Sequence, residues 1–215
     1  PHPEEVPRGG LVAIGGAGDR LTFPRLLLVT DRNRCRGRDL LSVVLAAVRG
    51  GVRFVLLRER DLDANAFAFL AEALARTLPP QVVLSIHSRP EVAVALGAGL
   101  HLAEAGGAPP SSPWHGRSVH RPDAAAQARG EGAAYLIAGT IFPSSGKPGA
   151  PTGIAGLRAM CAAAGPIPVF AIGGVDAGRV GQVRRAGAHG IAVVGAIQEA
   201  ADPEAAARTL VEALD

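Results

Sequence analysis

The sequence predicts a single-domain α/β protein, a (β/α)8 TIM barrel, and three observations carry that prediction. Eight short and nearly continuously apolar runs recur along the 215 residues. Unbroken apolar runs of this kind mark strands buried on both faces, as in a parallel sheet. Stretches rich in Ala, Leu and Arg, with helical periodicity, separate most of them. The length suits one barrel, which needs about 200–250 residues. An open doubly wound sheet is the rival architecture; eight alternations in one chain favour closure over it.

Taken in order, residues 1–24 are Pro- and Gly-rich and poorly periodic, and are read as an N-terminal extension to a barrel domain over 25–215. The predicted strands are RLLLVT (25–30), VRFVLL (52–57), VVLSI (82–86), GLHLA (99–103), GRSVH (116–120), AYLIAG (134–139), PVFAIGG (168–174) and GIAVVG (190–195). Helical patterns lie over 39–51, 63–78, 89–99, 121–132, 176–188 and 202–214. Asp39, Asp63, Asp176 and Asp202 stand at helix starts, and Pro90, Pro122 and Pro203 fall in first turns, both of which are start signals. Gly50-Gly51, Gly97, Gly132 and Gly187 follow helical stretches just before strands, where glycine serves as a C-cap. The middle units are about 17 residues long, so a helix there is expected to be stunted.

Composition narrows the function classes. Hydrophobic residues are 48% and aromatics 4%, so the core must be built from Val, Leu, Ile and Ala. The net charge of +3 is compatible with an anionic ligand. Arg32, Arg34, Arg36 and Arg38 form one local cluster. No aromatics are interleaved for base stacking, and a barrel offers no helix for a groove. A solvated loop is preferred, and no nucleic-acid partner is expected. Cys35 and Cys161 form no CxxC and have no His at metal-ligand spacing; reduced thiols and a cytoplasmic location are expected. No apolar run reaches the ~18 residues of a membrane span, and no signal pattern opens the chain. A homo-oligomer is left open.

In such a barrel the C-terminal ends of the strands share one mouth, so polar groups there ask for a reason. Strand 2 ends in Arg58-Glu59-Arg60, strand 3 in His87-Ser88-Arg89, and strand 4 near Glu104. Strand 5 carries Ser118 and ends at His120. Strand 6 runs into FPSSGKPGAPTG, with Ser144 and Lys147, strand 7 ends in Gly173-Gly174, and strand 8 in Val194-Gly195-Ala196. A phosphate needs close backbone N–H groups, which a Cβ would obstruct, and the loops after strands 7 and 8 are the usual phosphate site of this architecture. Tight strand-to-helix turns are the alternative reading of those glycines. Arg58 and Arg60, two apart, point to one side and with Lys147 make a cationic wall for a phosphate or carboxylate; rim pairing with Glu59 and Asp61 is the alternative. His120 is the leading proton-transfer candidate, with His87 second. His101, inside an apolar strand, reads as a satisfied core residue.

The motifs LVTDR (28–32), LLRERD (56–61), GRSVH (116–120), FPSSGKPGAPTG (142–153), PVFAIGGV (168–175) and GAHGIAVVGAI (187–197) resemble the thiamin phosphate synthase / TenI superfamily of small barrels over about residues 25–213. The synthases of that family join a pyrimidine diphosphate to a thiazole phosphate with Mg2+. The resemblance implies that Arg58, Arg60 and Lys147 hold the diphosphate, and that Gly174, Val194 and Gly195 hold the thiazole phosphate. Two departures count against that branch. The synthase pattern has an Asn-Asp pair after strand 3, where His87-Ser88 stands here, and an acidic Mg2+ ligand after strand 4, where Gly106 stands. Mg2+ then lacks its hard oxygen ligands.

The Arg-Glu-Arg strand end and GRSVH are more similar to the thiazole tautomerase branch, which aromatises a carboxythiazole phosphate without a metal. The resemblance makes His120 the acid/base, with Ser118 orienting a polar substrate atom. The leading expectation is therefore a cofactor-free isomerase acting on a phosphorylated thiazole. A synthase with a degenerate Mg2+ site comes second, and a non-catalytic binder of a thiazole phosphate third.

Overall fold

The structure, a computed structural model, describes residues 22–107, 112, 114–144 and 150–215. Eight strands pair in parallel and in chain order: β1 (Leu26–Val29), β2 (Phe54–Leu57), β3 (Val83–His87), β4 (Gly99–Leu102), β5 (His115–Val119), β6 (Tyr135–Gly139), β7 (Val169–Ile172) and β8 (Gly190–Val193). β1 also pairs with β8, Leu27 opposite Ala192, so the sheet is a closed barrel. The helices among the described residues are α1 (Leu40–Arg49), α2 (Ala64–Thr77), α3 (Pro90–Leu96), α4 (Pro122–Gly130), α5 (Gly153–Ala164), α6 (Val180–Arg185), α7 (Gly195–Gln198) and α8 (Pro203–Leu214). None is long and apolar enough to cross a membrane.

Why the strands read as unbroken apolar runs is visible on β2. Phe54 and Leu56 face the barrel interior, while Val55 and Leu57 face the helices, and all four are buried. Both faces of a parallel barrel strand are dry, so alternation disappears from the sequence. The helix starts follow their caps: Asp39, Asp63 and Asp202 accept the N–H of Ser42, Ala66 and Ala205 at 2.9–3.0 Å. Gly97, Gly132 and Gly187 end their helices at φ between +63° and +101°, which only glycine adopts without strain.

Three findings depart from the sequence reading. The helices α5 and α7 follow strands for which no helical pattern was read. Between β4 and β5 the described residues hold no helix at all, which goes further than the stunted helix expected. The third concerns the barrel floor. Phe23, inside the segment read as an extension, is buried there, its ring centroid 5.2 Å from those of Phe54 and Tyr135. Its carbonyl accepts a 2.7 Å hydrogen bond from His189 Nε2. Burying a ring of this size contributes about 1.5–3 kcal/mol, so Phe23 is part of the core. Five of the eight aromatics gather here, Trp114 and Phe170 among them.

Candidate functional site at the barrel mouth

An open cleft of about 900 Å³ lies at the C-terminal ends of the strands. Arg58 and Arg60 form part of its lining, as do Gly173-Gly174 and Val194-Gly195-Ala196, with Ser144 on the same surface. Arg58 continues the inward alternation of Phe54 and Leu56, and its N–H is fixed to Thr30 Oγ1 at 2.9 Å. Burial and the neighbouring charge of Arg60 lower the Arg58 pKa, which marks a guanidinium short of counter-charge. The charges of Asp31 and Glu59 offset this only in part, without an ion pair to Arg58. Glu59 accepts the Arg32 N–H at 3.0 Å, and Asp61 is paired with the Arg32 guanidinium and Asn33. Among the described residues no carboxylate forms an ion pair with Arg58 or Arg60.

The glycines of the opposite loops have a structural cause besides any ligand: the tight turns of the alternative reading, and a close approach that the sequence did not show. Gly173 and Gly174 sit at φ +98° and +61°. A Cβ on either would strike the chain leaving β6, at Thr140 for the first and at Pro143 and Phe142 for the second. Tight turns and the close approach of that chain therefore already require glycine, whatever binds. α7 begins at Gly195, with no side-chain hydrogen bond from its cap Val194; the N–H groups of a first helical turn have no intrahelical acceptor.

His87 and Ser118 stand at the same end on β3 and β5 but do not line that cleft. Burial first, then the charges of Arg58 and Arg60, lower the His87 pKa to about 4, so His87 is neutral near pH 7. Ser118 Oγ lies 2.9 Å from His101 Nε2, and His101 Nδ1 lies 2.9 Å from the Tyr135 hydroxyl, which donates to Ser85 Oγ at 3.2 Å. His101 is thus the satisfied core residue expected. Burial holds its pKa well below the ordinary value, and the chain of hydrogen bonds orients Ser118.

The expectation that all these groups face one mouth is corrected for His120. His120 lies one residue past β5, as Arg58 lies one residue past β2, but it turns away from the mouth toward Glu104. His120 is 52% exposed, is hydrogen-bonded through Nδ1 to Glu104, and lies in a separate cleft of about 460 Å³ with Arg117 and Arg121. Lys147 falls outside the described residues. Arg117 was missed by sequence reading although it lies inside GRSVH. Its buried guanidinium binds the carbonyls of Gly106 at 2.6 Å and Gly107 at 3.0 Å, fixing the loop after β4. The arginine cluster is a solvated loop only in part: Arg36 is exposed, whereas besides Arg32, Arg34 pairs with Glu199 and Arg38 binds the Gln198 carbonyl.

The residues do not fit the Mg2+ that the synthase branch implies. Ser88, at φ +53°, offers a hydroxyl where a carboxylate is needed, and Gly106 offers no side chain. Glu104 is engaged with His120, with Arg121 3.9 Å away. Among the described residues no group of three His, Cys, Asp or Glu side chains could hold a metal ion.

Comparison with known proteins gives a consistent family. The family profile described as thiamine monophosphate synthase matches residues 26–197. A thiamine-phosphate synthase from Thermus thermophilus is 39% identical over 198 residues, covering 87% of this chain and 95% of its own. One from Roseiflexus castenholzii is 37% identical, covering 85% of each. The solved structure of a thiamine phosphate pyrophosphorylase from Pyrococcus furiosus matches with a TM-score of 0.75 at 28% identity, covering 88% of this chain and 95% of that one.

Proposed function

Because the chain belongs to the thiamine monophosphate synthase family, we propose that it is a transferase of thiamin biosynthesis. In this reading it holds a thiazole phosphate on the loops after β7 and β8, and a pyrimidine diphosphate against Arg58 and Arg60. The observation that carries the reading is the arginine pair, without an ion-pair partner among the described residues, in the same cleft as the glycine loops. Two anions at two subsites need that arrangement. Guanidinium groups keep their charge at any working pH and bind phosphate oxygens in a fork. Arg58 and Arg60 orient the diphosphate and offset the charge that builds on it as it leaves. Lys147 adds a third cation on the strength of its motif. Ser118, backed by His101, offers a hydroxyl to a polar ring atom. With no fitting metal ligands, the counter-charge in this reading rests on these cations.

A second reading is favoured by one observation: Ser88 and Gly106 stand where the synthases carry their metal carboxylates. It is a metal-free proton shift that aromatises a carboxythiazole phosphate. The phosphate site is unchanged, Arg58 and Arg60 hold the carboxylate, and His120 leaves Glu104 to carry the proton. Both reactions should be assayed side by side on the full chain, with and without Mg2+. The transferase reading expects thiamin phosphate and pyrophosphate, with product formation reduced at least about tenfold in Arg58→Gln through loss of a charge-assisted contact. Turnover of the carboxythiazole alone, insensitive to Mg2+ and lost in His120→Gln, would replace it with the second reading.

A further inference from the structure

We infer that Arg34 is a further anion ligand of the mouth and that Glu199 is its resident counter-ion, displaced when a phosphate binds. The inference rests on the glycine-loop phosphate site proposed above and names side chains that complete it. Arg34 comes from the short 3-10 turn after β1 (Arg32–Arg34), and Glu199 immediately follows α7. Arg34 Nε and Glu199 Oε1 are 2.5 Å apart. Both residues line the cleft that holds Arg58, Arg60 and Gly195.

Their position over Gly195 is the telling feature. A methyl group on Gly195 would lie 2.7 Å from Arg34 Nη2 and 3.1 Å from the Glu199 carboxyl carbon. The ion pair therefore covers the residue whose missing side chain opens the loop. An anion arriving at Gly195 meets a guanidinium that attracts it and a carboxylate that repels it. The pair is partly exposed, with side chains 28% and 40% accessible, and pairs of this kind contribute little and open readily. A phosphate carries more charge than the carboxylate and matches the guanidinium fork, so exchange of Glu199 for ligand is favourable.

The neighbouring arginines do other work. Arg32 is held by Glu59 and Asp61, and Arg38 by the carbonyls of Cys35 and Gln198. These contacts pin the turn on both sides of Arg34 and present it to the cleft. Arg34 thus favours phosphate binding, and Glu199 opposes it and speeds release.

Titration calorimetry on the full chain, with inorganic phosphate and with thiazole phosphate, tests this. Arg34→Gln should weaken both by about tenfold, the loss of one charge-assisted contact. Glu199→Gln should tighten both by about threefold, as expected for removal of a weak, partly exposed competitor. Wild-type affinity in a folded Arg34→Gln protein, or unchanged or weaker binding in Glu199→Gln, overturns the inference alone. Should Arg34→Gln unfold, Glu199→Gln decides by itself. No phosphate binding by the wild-type chain would overturn the glycine-loop site and this inference together.

Discussion

His87 shows how a single side chain at the mouth reports on its charged surroundings. Its imidazole is partly buried and feels the charges of Arg58 and Arg60, and its pKa is lowered to about 4. The unfolded chain takes up that proton near 6.5. Between about 6.5 and about 4 the unfolded state holds more protons, so stability is full above the window and falls as pH drops through it. Urea midpoints at about pH 5 and about pH 7 should therefore differ, and His87→Gln should narrow the difference. An unchanged difference would show that His87 does not carry this share. Arg58 and His101 could be read at the residue scale from the sequence, because a charge at a strand end asks for a reason and an imidazole inside an apolar strand needs a partner. What surrounds each could not. Tyr135 meets His101 from 34 positions along the chain, and Arg32 takes Glu59 away from the arginine pair from 27 positions before it. Only the fold brings such groups together.

At the scale of elements, turn chemistry was legible because it is local. Asp caps and positive-φ glycines announce themselves within four residues of the helix end they serve. Two glycines with nearly the same φ now separate turn geometry from crowding. Gly97 (φ +63°) has open space where a Cβ would go, whereas at Gly174 (φ +61°) a Cβ would lie 2.5 Å from the Pro143 carbonyl oxygen. Gly97→Ala should cost about 1–2 kcal/mol, the left-handed penalty alone. Gly174→Ala should cost more, by urea denaturation, and should also weaken phosphate binding. Equal losses at the two positions would remove the close approach of the β6 loop as the cause. The short helix α7 was hidden because its four residues give no helical period. His120 was misplaced for a different reason: the strand pattern cannot say that Glu104, 16 positions earlier, draws it away from the mouth.

At the scale of the molecule, closure is completed by its last element. β8 returns to β1, and α8 then packs on α1, where Gly50 lets the two approach: a Cβ there would strike the Glu204 carbonyl and Ala207. Arg25 Nη1 ties the start of β1 to the Leu214 carbonyl at 3.0 Å. A chain ending at Asp202 should lose its cooperative urea transition and near-ultraviolet circular dichroism while keeping much of its helical signal. A sharp transition of near wild-type midpoint would show that α8 is dispensable. The sequence by itself determined the barrel, its strand order, its caps and the polar character of its mouth, because these follow from periodicity, turn chemistry and strand ends that are local in the chain. Only the tertiary structure decided that Arg58 and Arg60 lack a carboxylate partner among the described residues, that Phe23 plugs the floor, that Arg34 and Glu199 cover Gly195, and that His120 turns to Glu104. Each of those depends on which distant groups meet in space and share their charge, and no spacing along the chain encodes it.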